Sequence, residues 1–116
     1  MRKDVLLLLD MLDAINEVLE NTPSDPEVYY GNKFLRSHLV RNIQIIGEAA
    51  ARISDRIRES YPAVPWRLII GMRHVIVHDY FEIDWQAVYD TALKDVPPLK
   101  PFIEAIIAEF NQERSE

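Results

Sequence analysis

Leu35-Arg36-Ser37-His38-Leu39-Val40-Arg41-Asn42-Ile43-Gln44-Ile45-Ile46-Gly47-Glu48-Ala49-Ala50 decides the fold. Leu35, Leu39, Ile43, Ile46 and Ala50 recur at steps of three and four, and Ile53 and Ile57 continue the stripe. That spacing puts them on one side of a long helix, with a wet side opposite. Working back toward the amino terminus, Val5, Leu8, Leu12, Ile15 and Leu19 form a second stripe of the same kind. Asn21-Thr22-Pro23-Ser24-Asp25-Pro26 separates the two with turn residues, and Asp25 before Pro26 can cap a short helical segment. Working forward, Tyr61-Pro62-Ala63-Val64-Pro65 is a connector, and Pro65 opens a helix from Trp66 to about Asp79. Asp84 caps the next, with Trp85, Val88, Tyr89 and Ala92 inward, and Pro97-Pro98 ends it. Leu99, Phe102, Ile103, Ile106 and Phe110 mark the last. Short loops between helices of this length predict an all-α antiparallel bundle of about five helices.

The chain has 116 residues, which predicts one domain over 1–116. A chain of this size buries roughly two-thirds of its unfolded surface without staples. It has no cysteine, which excludes disulfides, thiolate zinc sites and a cysteine nucleophile and fits a reducing compartment. Arg2-Lys3 before Val5-Leu6-Leu7-Leu8-Leu9 looks like the start of a secretion signal, but Asp10 and Asp13 cut the apolar run too early. No stretch approaches the ~20 apolar residues of a membrane span. A cytoplasmic protein with no membrane partner is the expectation.

The formal net charge is −6. That argues against broad, charge-driven nucleic-acid binding, which needs a basic face. It leaves room for a local basic cleft, and arginines gather mid-chain from Arg36 to Arg73. Arg41, Glu48 and Arg52 share one stripe of the second helix, opposite Ile43, Ile46 and Ala50. That stripe is either a solvent face or, with Ile45 and Ala49 at its border, one wall of a groove.

The candidate site lies in Gly71-Met72-Arg73-His74-Val75-Ile76-Val77-His78-Asp79-Tyr80. A guanidinium holds phosphate oxygens as a planar fork. An imidazole moves a proton near neutral pH. The helix is otherwise apolar on two sides: Trp66, Ile69, Ile70, Val77 and Tyr80 form one stripe, with Arg73 in its middle. Leu68, Met72 and Val75 form the other, which predicts a central position or a homodimer interface. Arg73 is therefore either one half of a structural ion pair, to a carboxylate such as Glu48, or a phosphate clamp. His78 points about 140° from Arg73 on an ideal helix. The two converge if the helix ends there or if two subunits share the site. His74 and His78 are four apart, a spacing that suits a metal, but no third ligand follows at a useful spacing. No cofactor is expected. His38 reads as a surface or packing histidine.

Arg73, a polar residue, three residues, His78, any residue and Tyr80 resemble the signature of HepT-like proteins, a branch of the HEPN superfamily. Arg41 to Ala50, Tyr61 to Trp66 with Gly71-Met72-Arg73, and Ile83-Asp84 resemble further blocks of that family in the same order. The likeness runs from about Val5 to Phe110. It implies a dimeric α-helical bundle acting as a metal-independent endoribonuclease toxin on RNA. It implies a partner too, a minimal nucleotidyltransferase antitoxin of the MntA type that transfers AMP to the motif tyrosine. Carried over by residue, Arg73 and His78 are catalytic and Tyr80 is the modified hydroxyl. His74 stands where Asn or Asp is also common, which leaves its direct part open. Glu48 matches a position in the second-helix block with no assigned chemistry. The alternative is a non-catalytic helical module that binds a nucleotide or a partner nucleotidyltransferase, with Arg73 and Tyr80 binding and His78 structural.

Overall fold

The computed structural model of the chain describes residues 2–75 and 82–115. Among them seven α-helices follow in order: α1 (Arg2–Asn21), α2 (Pro26–Tyr30), α3 (Lys33–Arg52), α4 (Asp55–Ser60), α5 (Trp66–Val75), α6 (Trp85–Asp90) and α7 (Leu99–Ser115). The all-α expectation holds. The segments exceed the expected five because α2 is a helix of its own and the long second helix is broken.

The break comes at Ile53-Ser54. Ile53 is extended, and Ser54 caps α4 by accepting from the Ile57 amide. Asp4 holds the corner in place. Its buried carboxylate accepts from the Ser54 amide at 2.9 Å and from the Ser54 hydroxyl at 2.8 Å. Ile53 and Ile57 both remain buried, so the apolar period carries across the break and conceals it.

The other ends follow local chemistry. Asp25 accepts from the Glu27 amide with Pro26 opening α2, and Asn32 accepts from the Leu35 amide to start α3. The Pro65 carbonyl takes the Ile69 amide at the start of α5. Asp84 accepts from the Ala87 amide to start α6. Each cap satisfies a donor that a helix start would otherwise leave bare. A π-helical turn, Thr91–Asp95, extends α6 before Pro97-Pro98.

α3 is the middle of the molecule, packed against α1 on one flank and α5 on the other, while α7 packs against α1. The core is continuous through Leu8, Met11 and Ile15 of α1, Leu39, Ile43 and Ile46 of α3, Ile69 and Met72 of α5, and Leu99, Ile103 and Ile106 of α7. Each such side chain contributes about 1.5–3 kcal/mol by leaving water.

Two stripes shift from their expected places. On α1 the buried line is Leu8, Met11, Ile15 and Val18, with Leu12 and Leu19 at its edge. On α5 Met72 is 1 % exposed and belongs to the core, whereas Leu68 is 49 % exposed. Leu68 and Met72 therefore do not share an outward stripe. Arg73 is half-buried, and Val77 and Tyr80 of its expected stripe lie outside the described residues.

Candidate active site at the crossing of α3 and α5

α5 meets α3 at Gly47. A Cβ at Gly47 would lie 2.8 Å from the Arg73 amide nitrogen and 3.0 Å from the Arg73 Cβ. The missing side chain lets the two backbones touch and sets Arg73 beside α3. Glu48, the next residue, turns outward from the same crossing. Arg73 Nη1 donates to Glu48 Oε1 at 3.3 Å, and Arg73 Nε donates to His74 Nε2 at 3.2 Å. His74 Nε2 is the acceptor of that bond, which turns the imidazole toward the guanidinium.

The side chains of Arg73 and Glu48 are 31 % and 60 % exposed. An ion pair so open to water contributes about 0–1 kcal/mol. The pair orients the guanidinium more than it stabilises the bundle. Among the described residues these two bonds engage two of the five N–H groups of the fork. Three of the residues singled out from sequence, Glu48, Arg73 and His74, thus stand together. His78 and Tyr80 lie outside the described residues, as does Asp79.

Beside this cluster runs an open groove between α1 and α3, lined by Leu7, Asp10, Ile45, Glu48, Ala49 and Arg52. Of the two readings of the Arg41-Glu48-Arg52 stripe, it is exposed along its length, and only its Glu48 and Arg52 end lines this groove. Among the described residues no group of three or more His, Cys, Asp or Glu side chains is placed to hold a metal ion. None of their helices is long and apolar enough to cross a membrane. His38 pairs with Glu17 at 2.9 Å on the surface.

Past residues 76–81 the chain is fixed by aromatic side chains. The Tyr29 hydroxyl donates to the Trp85 carbonyl at 2.6 Å, and the Tyr89 hydroxyl donates to the Pro23 carbonyl at 2.7 Å. The two rings stack at 4.2 Å, and the Arg36 guanidinium lies 5.1 Å from the Trp85 ring centre. Burial pushes both phenols above their ordinary range, with Tyr30 adding to the effect at each and Asp25 at Tyr89. Sequence reading missed this anchor and missed Gly47. A glycine inside a strongly periodic helix was the available signal for a close backbone approach.

A family model described as ribonuclease HepT-like matches residues 11–106. The chain belongs to the HepT-like family. This HepT-like chain is 36% identical over 107 residues to a Methanocaldococcus jannaschii protein named as a candidate RNase, covering 90% of this chain and 98% of that one. A second protein of that organism, named in the same way, is 33% identical over 106 residues, covering 90% of this chain and 91% of its own. A Thermococcus cleftensis protein named as a candidate ribonuclease HepT is 32% identical over 94 residues, covering 80% and 86%. No solved structure gives a significant match.

Proposed function

We propose that this HepT-like chain is an endoribonuclease that cuts RNA by attack of a ribose 2′-hydroxyl, with Arg73 as the group that meets the phosphate. The observation that carries the reading is the guanidinium held between Glu48 and His74 at the α3–α5 crossing. The family and the ribonuclease names of its relatives support it. An imidazole takes the 2′-hydroxyl proton as the oxygen attacks the adjacent phosphorus. The bond from phosphorus to the 5′-oxygen breaks, and that oxygen takes a proton from an acid. Arg73 meets the charge that builds on the non-bridging oxygens. His78 is the first candidate for base or acid, and His74 the auxiliary. Nothing in these steps calls for a metal ion. A homodimer supplies a second set of imidazoles, so base and acid can come from different subunits.

Within this reading the chain is the toxin of a toxin–antitoxin pair. A minimal nucleotidyltransferase of the MntA type silences it by adding AMP to Tyr80. The added phosphate can occupy the arginine fork that the RNA phosphate needs. The test is incubation of purified protein with RNA and with DNA of the same sequence in the presence of a chelator. RNA is cut and DNA resists, because DNA lacks the nucleophile. Cleavage of both, or loss of cleavage in the chelator, overturns the mechanism.

A further inference from the structure

The outward face of α3 carries residues that the cleavage chemistry does not use. Phe34, Arg41, Glu48 and Arg52 are all exposed. On a regular helix these four fall within about 40° of one another and extend over about 27 Å. Glu48 is engaged by Arg73. Arg58 pairs with Asp55, and Arg36 donates to the carbonyls of Tyr29 and Tyr30. Arg41 and Arg52 have no ion pair or hydrogen bond among the described residues. In a chain of net charge −6, two arginines with no partner among the described residues, on either side of a third, gather positive charge on one face. Asp10 lines the groove beside Arg52 without an ion pair to it. At the amino-terminal end of the same face, Phe34 is 87 % exposed, an open aromatic ring that adds nothing to the core.

We propose that this face of α3 is a binding track for single-stranded RNA. Arg41 and Arg52 take phosphates on either side of the scissile one at Arg73, and Phe34 stacks on a base farther along. Cations spaced along a path with an aromatic platform at one end are the chemistry by which unpaired strands are held without sequence readout. The overall negative charge keeps binding confined to this face, so affinity is modest and depends steeply on salt. The proposal rests on the ribonuclease reading for its substrate, but its own test reads binding separately.

The probe is a 2′-O-methyl oligoribonucleotide of about 16 nucleotides, which has no free nucleophile, followed by fluorescence anisotropy across a salt series. Arg41→Glu and Arg52→Glu each weaken binding about tenfold or more and lower the salt slope by about 0.7. Phe34→Ala weakens it about tenfold with the slope unchanged, because stacking releases no counterions. Lys94→Glu, an equal charge change at an exposed site on the π-helical turn, leaves both unchanged. Circular dichroism melts confirm that all four fold alike. Wild-type affinity in the α3 variants overturns the track, as does an equal loss in Lys94→Glu. If the wild type binds the probe through this face yet cuts no unmodified RNA, the track stands and the ribonuclease reading falls. If it cuts RNA while the α3 variants bind normally, the reverse holds.

Discussion

Gly47 and Arg73 touch backbone to backbone: a Cβ on the first would stand 2.8 Å from the amide nitrogen of the second. Gly47→Ala must push α5 outward at that point. Overpacking of this kind costs about 1–3 kcal/mol, partly offset by about 1 kcal/mol from the better helix former. Displacing a catalytic group by even 1 Å can cost about 10²-fold in rate. The variant therefore folds with a modest loss in melting temperature and loses most of its RNA cleavage. Parallel melts and cleavage rates check this. Wild-type cleavage by a folded Gly47→Ala protein would show that the close approach does not set the site.

Arg73→Ala and His78→Ala each lower cleavage by about 10²- to 10³-fold, the usual loss when one preorganised charge-stabilising group is removed. Arg73→Lys fails as well, because an ammonium does not reproduce a planar fork. Stability changes by no more than about 1 kcal/mol in the Arg73 variants, since the pair with Glu48 is exposed. Unfolding of Arg73→Ala under native conditions would return Arg73 to a structural role.

Asp4→Ala strips the Ser54 amide and hydroxyl of a shared carboxylate. Hydrogen bonds to a charged group are worth about 1.5–3 kcal/mol each. The melting temperature falls by several degrees. Asp4→Asn, which keeps one acceptor, lies between Ala and the wild type. Equal melts for all three proteins would remove Asp4 from the account of the corner.

The buried phenols make the fold sensitive to alkali. The Tyr29 hydroxyl ionises above its ordinary value of 10.0 in the folded chain, so between the two values the native state holds a proton that the unfolded state has released. That contribution is complete below pH 10 and is lost as the pH climbs beyond it. Denaturant melts at rising pH show a steeper decline in the wild type than in Tyr29→Phe. The variant starts about 1 kcal/mol lower at neutral pH because the Trp85 carbonyl loses its donor. Parallel pH profiles would dismiss the Tyr29 contribution.

Tyr80→Phe escapes silencing by a nucleotidyltransferase partner. Intact-mass spectrometry of the co-expressed pair detects added AMP on the wild type and none on the variant. AMP mapped to Tyr61 or Tyr89 instead refutes the assignment.

The helices were legible because their apolar periods are strong, and the caps at Asp25 and Asp84 because their chemistry is local. The corner at Ser54 was hidden by Ile53 and Ile57, which keep the helical period while the backbone leaves it. A capping serine followed by Asp55 was the signal that the period outweighed. On α5 both sides are apolar, so periodicity could not say that Met72 is inside and Leu68 outside. The pairing of Glu48 with Arg73 spans 25 residues. Charge identity suggested it, but only the close approach at Gly47 brings it about.

The Asp4–Ser54 corner also bears on the order of events in folding. α1 and α3 close like a zip from their connecting turn. His38 and Glu17, 21 residues apart in sequence, sit toward the turn, while Asp4 and Ser54, 50 apart, form the far end. Loop entropy favours the nearer pair first. We therefore expect the carboxylate at the far end to be engaged late in folding, with refolding and unfolding rates of Asp4→Ala as the check. Its loss accelerates unfolding and leaves the refolding rate nearly untouched, so the bond acts as a latch on a bundle already assembled.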